Sequence, residues 1–319
     1  MNGVILDCDS LGPYSLDLGA LYELPINWTL YPDSSDDQVA ERIIDADIVL
    51  TNKAMFSEAD MSAAPRLKFI GVMATGTNHI ALEAARQRGI VVSNAIGYCT
   101  GSVVQHVWSL ILALTTKLLP HHNAVLGGRW QQNQNFCAMD FPVRELNGKV
   151  MGVIGAGELG NGVAKIAEAF GMQVIYAALP GHSHSGSMDR MALDEFLSCA
   201  DVISIHCPLT AKTQNLIGDA QFALMKDSTL VINSARGGII NEPALKQALI
   251  MGQIAGAATD VLTVEPPVDG NVLLDPAIPN LIITPHSAWV ATEARQRLVI
   301  QLADNLRGFL DGKPLNRVV

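Results

Sequence analysis

Residues 149–171, with the sequence KVMGVIGAGELGNGVAKIAEAFG, decide which fold the sequence predicts. The apolar run 150–154 is typical of a buried strand in a parallel sheet. The loop GAGELG, residues 155–160, follows this strand directly, and apolar side chains then recur at helical spacing. A strand, a glycine loop and a helix in this order match the fingerprint of a dinucleotide site.

Each glycine of this loop has a predicted role. Gly155 allows the tight turn, Gly157 lets the backbone approach the phosphates, and Gly160 lets the helix pack against the strand. The helix N-terminus offers free N–H groups and a partial positive charge to the pyrophosphate. In a chain with 27 glycines this pattern also arises by chance, but its place between a strand and a helix favours nucleotide binding.

Length and composition predict a compact protein with two domains. A chain of 319 residues is too long for one ordinary core. Hydrophobic residues make up 49% and charged residues 16%, which is typical of a globular protein with a large buried surface. The net charge of −10 disfavours nucleic acid and anionic membranes as partners.

Cysteines and the N-terminus favour a cytoplasmic protein. The first residues, MNGVILDCDS, contain acid where a signal peptide carries positive charge. Polar residues interrupt the long apolar segment 102–119, so no membrane span is expected. The five cysteines have no metal-site spacing and suggest reduced thiols, with no metal bound: Cys8, Cys99, Cys137, Cys199 and Cys207.

Short apolar strands alternate with helical segments, which predicts an α/β fold with two Rossmann-like or flavodoxin-like parallel-sheet domains. The strands expected in the first domain are 4–6, 28–31, 47–51, 67–74 and 91–93, with helices such as 39–44 and 81–88 between them. Those expected in the second domain are 150–154, 173–177, 201–206, 229–233, 255–261 and 281–284.

A long apolar helix, 103–119, is expected to lead from the first domain into the second and to end at Pro120. The segment 121–143 is long and irregular for a compact domain, and it includes Trp130. Segments of this kind often contact a partner or close over a site. We assign it to a dimer interface; a plain surface loop is the alternative.

Ligands of parallel sheets bind beyond the carboxyl ends of the strands. The loop Ala74-Thr75-Gly76-Thr77 lies at one such end, where small residues leave N–H groups open to an anion; an ordinary turn is the alternative. After strand 173–177 an acid usually binds the ribose hydroxyls, but Ala178 stands there. NADP is therefore an alternative to NAD. His182 and His184 are either weak phosphate contacts or solvated loop residues.

Three polar residues, Arg236, Glu265 and His286, follow strands of the second domain. Alone, each also fits a structural role: a surface cation, a solvated turn and a hydrogen-bonded histidine. Together they meet the needs of reduction of a 2-oxo acid. Histidine donates the proton to the carbonyl oxygen, and a carboxylate beside it stabilises the imidazolium. Arginine binds the substrate carboxylate and polarises the carbonyl.

Five ordered motifs resemble those of the D-isomer-specific 2-hydroxyacid dehydrogenases: GAGELG, HCPLTAKTQNLIG, MKDSTLVINSARGGIINEPAL, TDVLTVEPP and NLIITPHSAW. The resemblance covers nearly the whole chain. The glycerate dehydrogenase or hydroxypyruvate reductase branch is the most similar, as suggested by Gly128-Arg129-Trp130-Gln131, Phe136-Cys137 and Asn316-Arg317-Val318.

The resemblance implies the role of each site residue. Arg236 binds the substrate, Glu265 tunes the histidine and His286 is the general acid/base, while Ala74, Thr75 and Gly76 hold the substrate carboxylate. The implied cofactor contacts are Gly155, Gly157, Glu158, Leu159 and Gly160 at the pyrophosphate, Ala178 at the ribose, Cys207, Pro208 and Thr213 near the adenosine, and Ser234, Ala235, Arg236, Asp260 and His286 near the nicotinamide.

The implied architecture has a substrate-binding domain of residues 1–98, completed by 290–319, and a dinucleotide-binding domain of residues 99–289. An active-site cleft between them and dimerisation through the second domain are expected. The sequence departs from the family at Ala178, at Gln105 in place of a frequent glutamate, at Asn78-His79 and at Asn241. None of these departures is one of the three catalytic positions.

The predicted function is NAD(P)-dependent reduction of a small 2-oxo acid, of the hydroxypyruvate or glyoxylate type, to the D-2-hydroxy acid. One alternative is a nucleotide-sensing, corepressor-like interaction protein. The other is a dehydrogenase for a larger 2-hydroxy acid such as phosphoglycerate.

Overall fold

A computed structural model describes residues 1–180 and 189–319. The described residues form eleven β-strands and eleven α-helices. The strands are β1 (Asn2–Ile5), β2 (Asn27–Leu30), β3 (Ile48–Thr51), β4 (Phe69–Val72), β5 (Val91–Ser93), β6 (Val150–Ile154), β7 (Gln173–Tyr176), β8 (Val202–Ile205), β9 (Leu230–Asn233), β10 (Gly256–Thr259) and β11 (Leu281–Ile283). The helices are α1 (Gly19–Tyr22), α2 (Val39–Ile43), α3 (Glu58–Ala63), α4 (Leu82–Gln87), α5 (Thr100–Thr115), α6 (Leu118–Leu126), α7 (Glu158–Ala169), α8 (Leu193–Cys199), α9 (Asp219–Phe222), α10 (Glu242–Ile250) and α11 (Thr292–Leu310).

The chain divides into two compact units, one of residues Met1–Cys99 and Trp289–Val319, the other of Thr100–Ala288. The expected domain boundaries, 98/99 and 289/290, each differ from this division by one residue.

The first unit contains a parallel sheet in the order β2-β1-β3-β4-β5. Successive side chains of a strand point to opposite faces, so each face has its own core. Ile48 and Leu50 belong to one buried cluster and Val49 to the other. The amphipathic helix α11 covers the first of these faces.

The second unit contains a six-stranded parallel sheet in the order β11-β10-β9-β8-β6-β7. The chain runs outward from β6 to β7 and then returns to β8 on the other side of β6. The loops after β6 and β8 therefore flank the point where the strand order reverses, which is where ligands of such sheets bind.

The predicted fold class is confirmed. All eleven predicted strands are present, and their ends differ from the prediction by at most two residues.

The predicted single helix 103–119 is wrong. Helix α5 ends at Thr115 and α6 begins at Leu118, because Lys117 between them adopts a left-handed conformation with φ +53°. Pro120 does not end a helix; it lies in the first turn of α6, where a backbone N–H has no acceptor within the helix and proline costs no hydrogen bond. The segment 121–143 thus begins as a helix and becomes irregular only after Leu126.

No single helix in the described parts of the chain is both long and apolar enough to cross a membrane. Helices α5 and α6 meet those criteria only as a pair, and they are bent by 60° relative to each other.

Candidate active site

The glycine loop between β6 and α7 has the close backbone packing that the sequence predicts. Gly155 has φ +103°, and a Cβ there would lie 2.7 Å from the backbone nitrogen of Cys207. A Cβ at Gly160 would lie 2.0 Å from the carbonyl oxygen of Gly155. Gly157, the N-cap of α7, has no heavy atom within 4 Å of such a Cβ. The loop is therefore tight on its inner side and open in front of the helix N-terminus, as a pyrophosphate requires.

Two buried polar atoms near this loop lack a partner among the described residues. These atoms are Nδ1 of His206 and Oγ of Ser234, and neither forms a hydrogen bond with a described residue. They follow β8 and β9, at the same sheet edge as the glycine loop. Burial lowers the pKa of His206 to about 4, so its imidazole is neutral at pH 7. Because buried polar groups are normally paired, these atoms and the glycine cradle fit a bound dinucleotide.

Several predicted cofactor residues use their side chains to shape loops. The Cys207 thiol lies in the core, and burial raises its pKa to about 11. Thr213 is buried and donates a hydrogen bond to the carbonyl of Pro208, at 2.6 Å. The exposed Glu158 accepts one from the Thr100 hydroxyl, at 2.6 Å. The atoms of this loop that lie closest to Gly155 are the backbone atoms of His206 and Cys207, not the thiol.

Ala178 occupies the position at which an acid usually binds the ribose hydroxyls. Ala178 follows β7, and its N–H donates to the carbonyl of Met191 at 2.8 Å. Its methyl side chain has no charge with which to select between a ribose hydroxyl and a 2′-phosphate. His182 and His184 lie outside the described residues.

Glu265 and His286 form a direct pair. Nδ1 of His286 lies 2.6 Å from Oε2 of Glu265, and Oε1 of the same carboxylate accepts the N–H of Leu262 at 2.8 Å. Each of the two paired side chains is 29% exposed, so a ligand can reach them. With Nδ1 facing the carboxylate, the ring is oriented so that Nε2 serves the ligand.

The backbone around His286 is fixed by Asp260. The N–H of His286 donates to the carbonyl of Asp260 at 2.8 Å. The Asp260 carboxylate is 1% exposed and accepts the N–H groups of Ser287 and Ala288, both at 2.9 Å. Burial raises the pKa of Asp260, but hydrogen bonds from His106, Thr284 and these two N–H groups outweigh it, and the net pKa shift is downward. Asp260 is therefore an anionic anchor at neutral pH.

Arg236 lies on the loop after β9, and its guanidinium makes no ion pair within the described chain. Nη1 donates to the carbonyl of Ala235 at 2.7 Å, and no described carboxylate lies within 4 Å of it. Asn233 braces the loop, because its side chain accepts the N–H of Ala235 and donates to the carbonyl of Arg236. The remaining donors of the guanidinium suit a ligand carboxylate.

Gly237 brings this loop against the one that bears Glu265. A Cβ at Gly237 would lie 1.9 Å from the carbonyl oxygen of Leu262, so no other residue fits there without displacing backbone. Leu262 thus packs on the Arg236 loop and donates its N–H to Glu265. The structure brings the loops of all three predicted catalytic residues to one edge of the second sheet.

In the first unit, the loop Ala74-Thr75-Gly76-Thr77 follows β4. The Thr75 hydroxyl donates to the carbonyl of Ala95 at 2.7 Å, and the Asn94 amide donates to the carbonyl of Thr75 at 2.8 Å. Among the described residues, no acceptor is present for the N–H groups of Thr75 and Gly76. The loop is fixed through its carbonyl and hydroxyl groups, and its N–H groups are open to an anion.

Sequence reasoning missed Ser102 and His106 on α5. Both contact the segment around His286, at 2.6 Å from Ser102 Oγ to the Ala288 carbonyl and at 3.0 Å between His106 Nε2 and Thr284 Oγ1. The available signal was the spacing of these two polar residues, four positions apart, which places them on one face of α5.

Comparison with known proteins gave a family match and full-length relatives. The family model described as D-isomer specific 2-hydroxyacid dehydrogenase, NAD binding domain, matches residues 108–288. A glycerate dehydrogenase of Methylorubrum extorquens is 43% identical over 282 residues, which cover 88% of each chain. A hydroxypyruvate reductase of Blautia hydrogenotrophica is 39% identical over 323 residues, covering 100% of this chain and 99% of the relative. The crystal structure of the TT0316 protein from Thermus thermophilus has a TM-score of 0.86 and 29% identity, with 100% of both chains covered.

Proposed function

Since this chain belongs to the D-isomer-specific 2-hydroxyacid dehydrogenases, a family of NAD-dependent oxidoreductases, we propose that its substrate is hydroxypyruvate, glyoxylate or another small 2-oxo acid. The product is then the D-2-hydroxy acid. The observation that carries the proposal is the Glu265–His286 pair, with 2.6 Å between carboxylate and imidazole, together with the packing of the Glu265 loop against the Arg236 loop at Gly237. The names of two relatives, glycerate dehydrogenase and hydroxypyruvate reductase, support a substrate of this size.

His286 is the proposed general acid/base. The hydride for the carbonyl carbon would come from NADH when this cofactor is bound. His286 donates the proton to the carbonyl oxygen from Nε2, because Nδ1 faces Glu265. Glu265 balances the positive charge of the protonated ring, and the N–H of Leu262 keeps the carboxylate in place. In the reverse direction the same ring takes the proton from the hydroxyl group.

Arg236 is the proposed binding group for the substrate carboxylate and the group that polarises the carbonyl. Its guanidinium offers several donors in a fixed plane, and one donor already fixes it to the carbonyl of Ala235. We assign a second hold on the carboxylate to Ala74, Thr75 and Gly76. The support for this is that the N–H groups of Thr75 and Gly76 have no acceptor among the described residues.

The proposed cofactor contacts follow the edge of the second sheet. The glycine loop, with Glu158 and Leu159 at the start of α7, faces the pyrophosphate. Residues 234–236, Asp260 and His286 are assigned to the nicotinamide side. The support for residues 234–236 is that the buried Ser234 hydroxyl has no hydrogen-bond partner among the described residues. Cys207, Pro208 and Thr213 are assigned to the adenosine side and Ala178 to the ribose.

Neither alternative function is favoured. The relatives that cover most of the chain are named as a dehydrogenase and a reductase, which argues against a corepressor-like interaction protein. Two D-3-phosphoglycerate dehydrogenases are also relatives, at 36% and 35% identity, but the match spans only 51% and 53% of their length. It spans 88% of the glycerate dehydrogenase and 99% of the hydroxypyruvate reductase, which supports the smaller substrate.

The test is a substrate panel with purified protein. With NADH, hydroxypyruvate and glyoxylate should be reduced with a kcat/KM at least about tenfold above that for pyruvate derivatives with bulky side chains, since each misfitting group costs about 10-fold to 200-fold. Repeating the panel with NADPH measures the preference between the two cofactors, and so shows whether Ala178, in place of the usual acid, allows the use of NADPH. Chiral chromatography of the hydroxypyruvate product should give the D isomer. An absence of turnover with every acid and both cofactors would reject the proposed function.

We also propose that the protein is a homodimer. The segment 118–139 carries large apolar side chains that are exposed in the single chain, among them Leu126, Phe136 at 90% and Met139 at 86%. Clusters of exposed apolar residues mark protein interfaces. Sedimentation should give twice the chain mass of 34.1 kDa, and Leu126→Asp should shift the protein toward monomer. A wild-type mass of one chain at micromolar concentration would contradict this.

The cysteines support a cytoplasmic location. Cys8, Cys137, Cys199 and Cys207 form no disulfide, and Cys8 and Cys207 are buried. Unpaired thiols are typical of a reducing compartment. A disulfide in protein isolated under non-reducing conditions would contradict the assignment.

A further inference from the structure

Helix α5 contacts the segment 284–288, which contains His286, at both ends of that segment. Ser102 Oγ donates to the carbonyl of Ala288 at 2.6 Å. One turn further along the same face of α5, His106 Nε2 lies 3.0 Å from Oγ1 of Thr284 and 3.4 Å from Oδ1 of Asp260. The segment 284–288 is thus held between two side chains of one rigid helix.

The hydrogen bonds define which atom of His106 carries the proton. The Thr284 hydroxyl has one hydrogen, and it points to Oδ1 of Asp260 at 2.6 Å. The hydroxyl oxygen is then an acceptor, as is the carboxylate. Nε2 of His106 is therefore the donor to both. His106 ends a network whose other end is the pair of N–H groups that directly follow His286.

The backbone of His286 needs such support. Its φ of +52° is a left-handed conformation that residues other than glycine seldom adopt. Such conformations persist where the surrounding structure fixes them, and they concentrate at functional sites. Here the fixing groups are the Asp260 carbonyl, the Asp260 carboxylate and the two side chains of α5.

We propose that His106 is a positioning residue for the reduction: with Ser102, it holds the backbone at His286 so that the imidazole meets both Glu265 and the substrate carbonyl. This rests on the proposed role of His286 as the general acid/base. His106 acts through its contacts with Thr284 and Asp260, which hold the segment of His286. Displacement of a catalytic group by about 1 Å costs up to about 100-fold in rate, so loss of this donor affects the chemical step.

The experiment compares His106→Phe, which keeps a ring but removes the donor, with His106→Gln, whose amide nitrogen keeps a donor at similar reach. We expect His106→Phe to lower kcat about tenfold or more, with the KM for the 2-oxo acid and the affinity for NADH within about twofold of wild type. The isotope effect on kcat with deuterated NADH should rise, because the chemical step becomes slower. His106→Gln should return kcat to within about threefold. The matched control is Gln105→Phe, at the exposed neighbouring position of α5, which should leave kcat unchanged.

Distinct results identify which idea fails. A wild-type protein that reduces no 2-oxo acid rejects the proposed function. An active wild type with unchanged kcat in His106→Phe, or equal losses in the Phe and Gln variants, overturns the positioning role alone. If His106→Phe does not fold, Ser102→Ala removes the other contact of α5. A lower kcat at unchanged NADH affinity then supports the proposal, and an unchanged kcat overturns it.

Discussion

His286→Gln is expected to lower kcat for reduction of the preferred 2-oxo acid by about 1,000-fold, in the middle of the range for a lost general acid. Glutamine has a similar size and can still hydrogen-bond to Glu265, but it cannot transfer a proton to the carbonyl oxygen. The loss should therefore appear in kcat and not in cofactor binding. The measurement is single-turnover oxidation of NADH at saturating substrate, combined with a fluorescence titration of NADH.

Glu265→Gln is the companion variant for this prediction. It removes the charge that lies 2.6 Å from Nδ1 but leaves the histidine, so its loss should be smaller than that of His286→Gln. The double variant should be no slower than His286→Gln alone, because the two residues act as one unit. A His286→Gln protein that folds, binds NADH and keeps more than about a tenth of wild-type kcat would remove His286 from the chemistry, since that loss is below the usual effect of a general acid.

Arg236→Gln is expected to lower kcat/KM by about 1,000-fold, because a fixed cation that binds the carboxylate and stabilises developing charge at the carbonyl is lost. Arg236→Lys should recover only part of this, since an ammonium group does not match the planar, two-point geometry of a guanidinium. Both KM and kcat should be affected. Steady-state kinetics with hydroxypyruvate and glyoxylate measure this, and NADH affinity should change little.

The chain offers a matched control for Arg236. Nη1 of Arg144 donates to the carbonyl of Ser228 at 3.0 Å, much as Nη1 of Arg236 donates to that of Ala235. Ser228 precedes β9, whereas Arg236 follows it, so Arg144 lies at the amino end of the sheet. Arg144→Gln should keep kcat/KM near the wild-type value. Equal losses in the two variants would show that removing any such arginine damages the fold and would contradict a substrate role for Arg236.

The break between α5 and α6 shows why one prediction failed. Apolar residues at helical spacing continue through 103–119, so periodicity indicated one helix. The left-handed conformation of Lys117 has no signature in the sequence, because glycine or asparagine is the usual signal for it. The prediction for Pro120 failed with it, since proline suits both the end of one helix and the first turn of the next.

The sequence by itself determined the parallel sheets and the glycine loop, and it predicted Arg236, Glu265 and His286 as the catalytic residues. These features depend on local patterns: apolar runs of strand length, glycines at fixed offsets, and reactive side chains that follow strands whose carboxyl ends share one edge. Only the tertiary structure decided how His286 is held. Its supports on α5 are distant in sequence, since His106 and Thr284 are 178 positions apart. The packing of Gly237 on Leu262 is likewise a contact between separate loops. Such contacts arise only when the helix and the strands pack together, so no local pattern of residues encodes them.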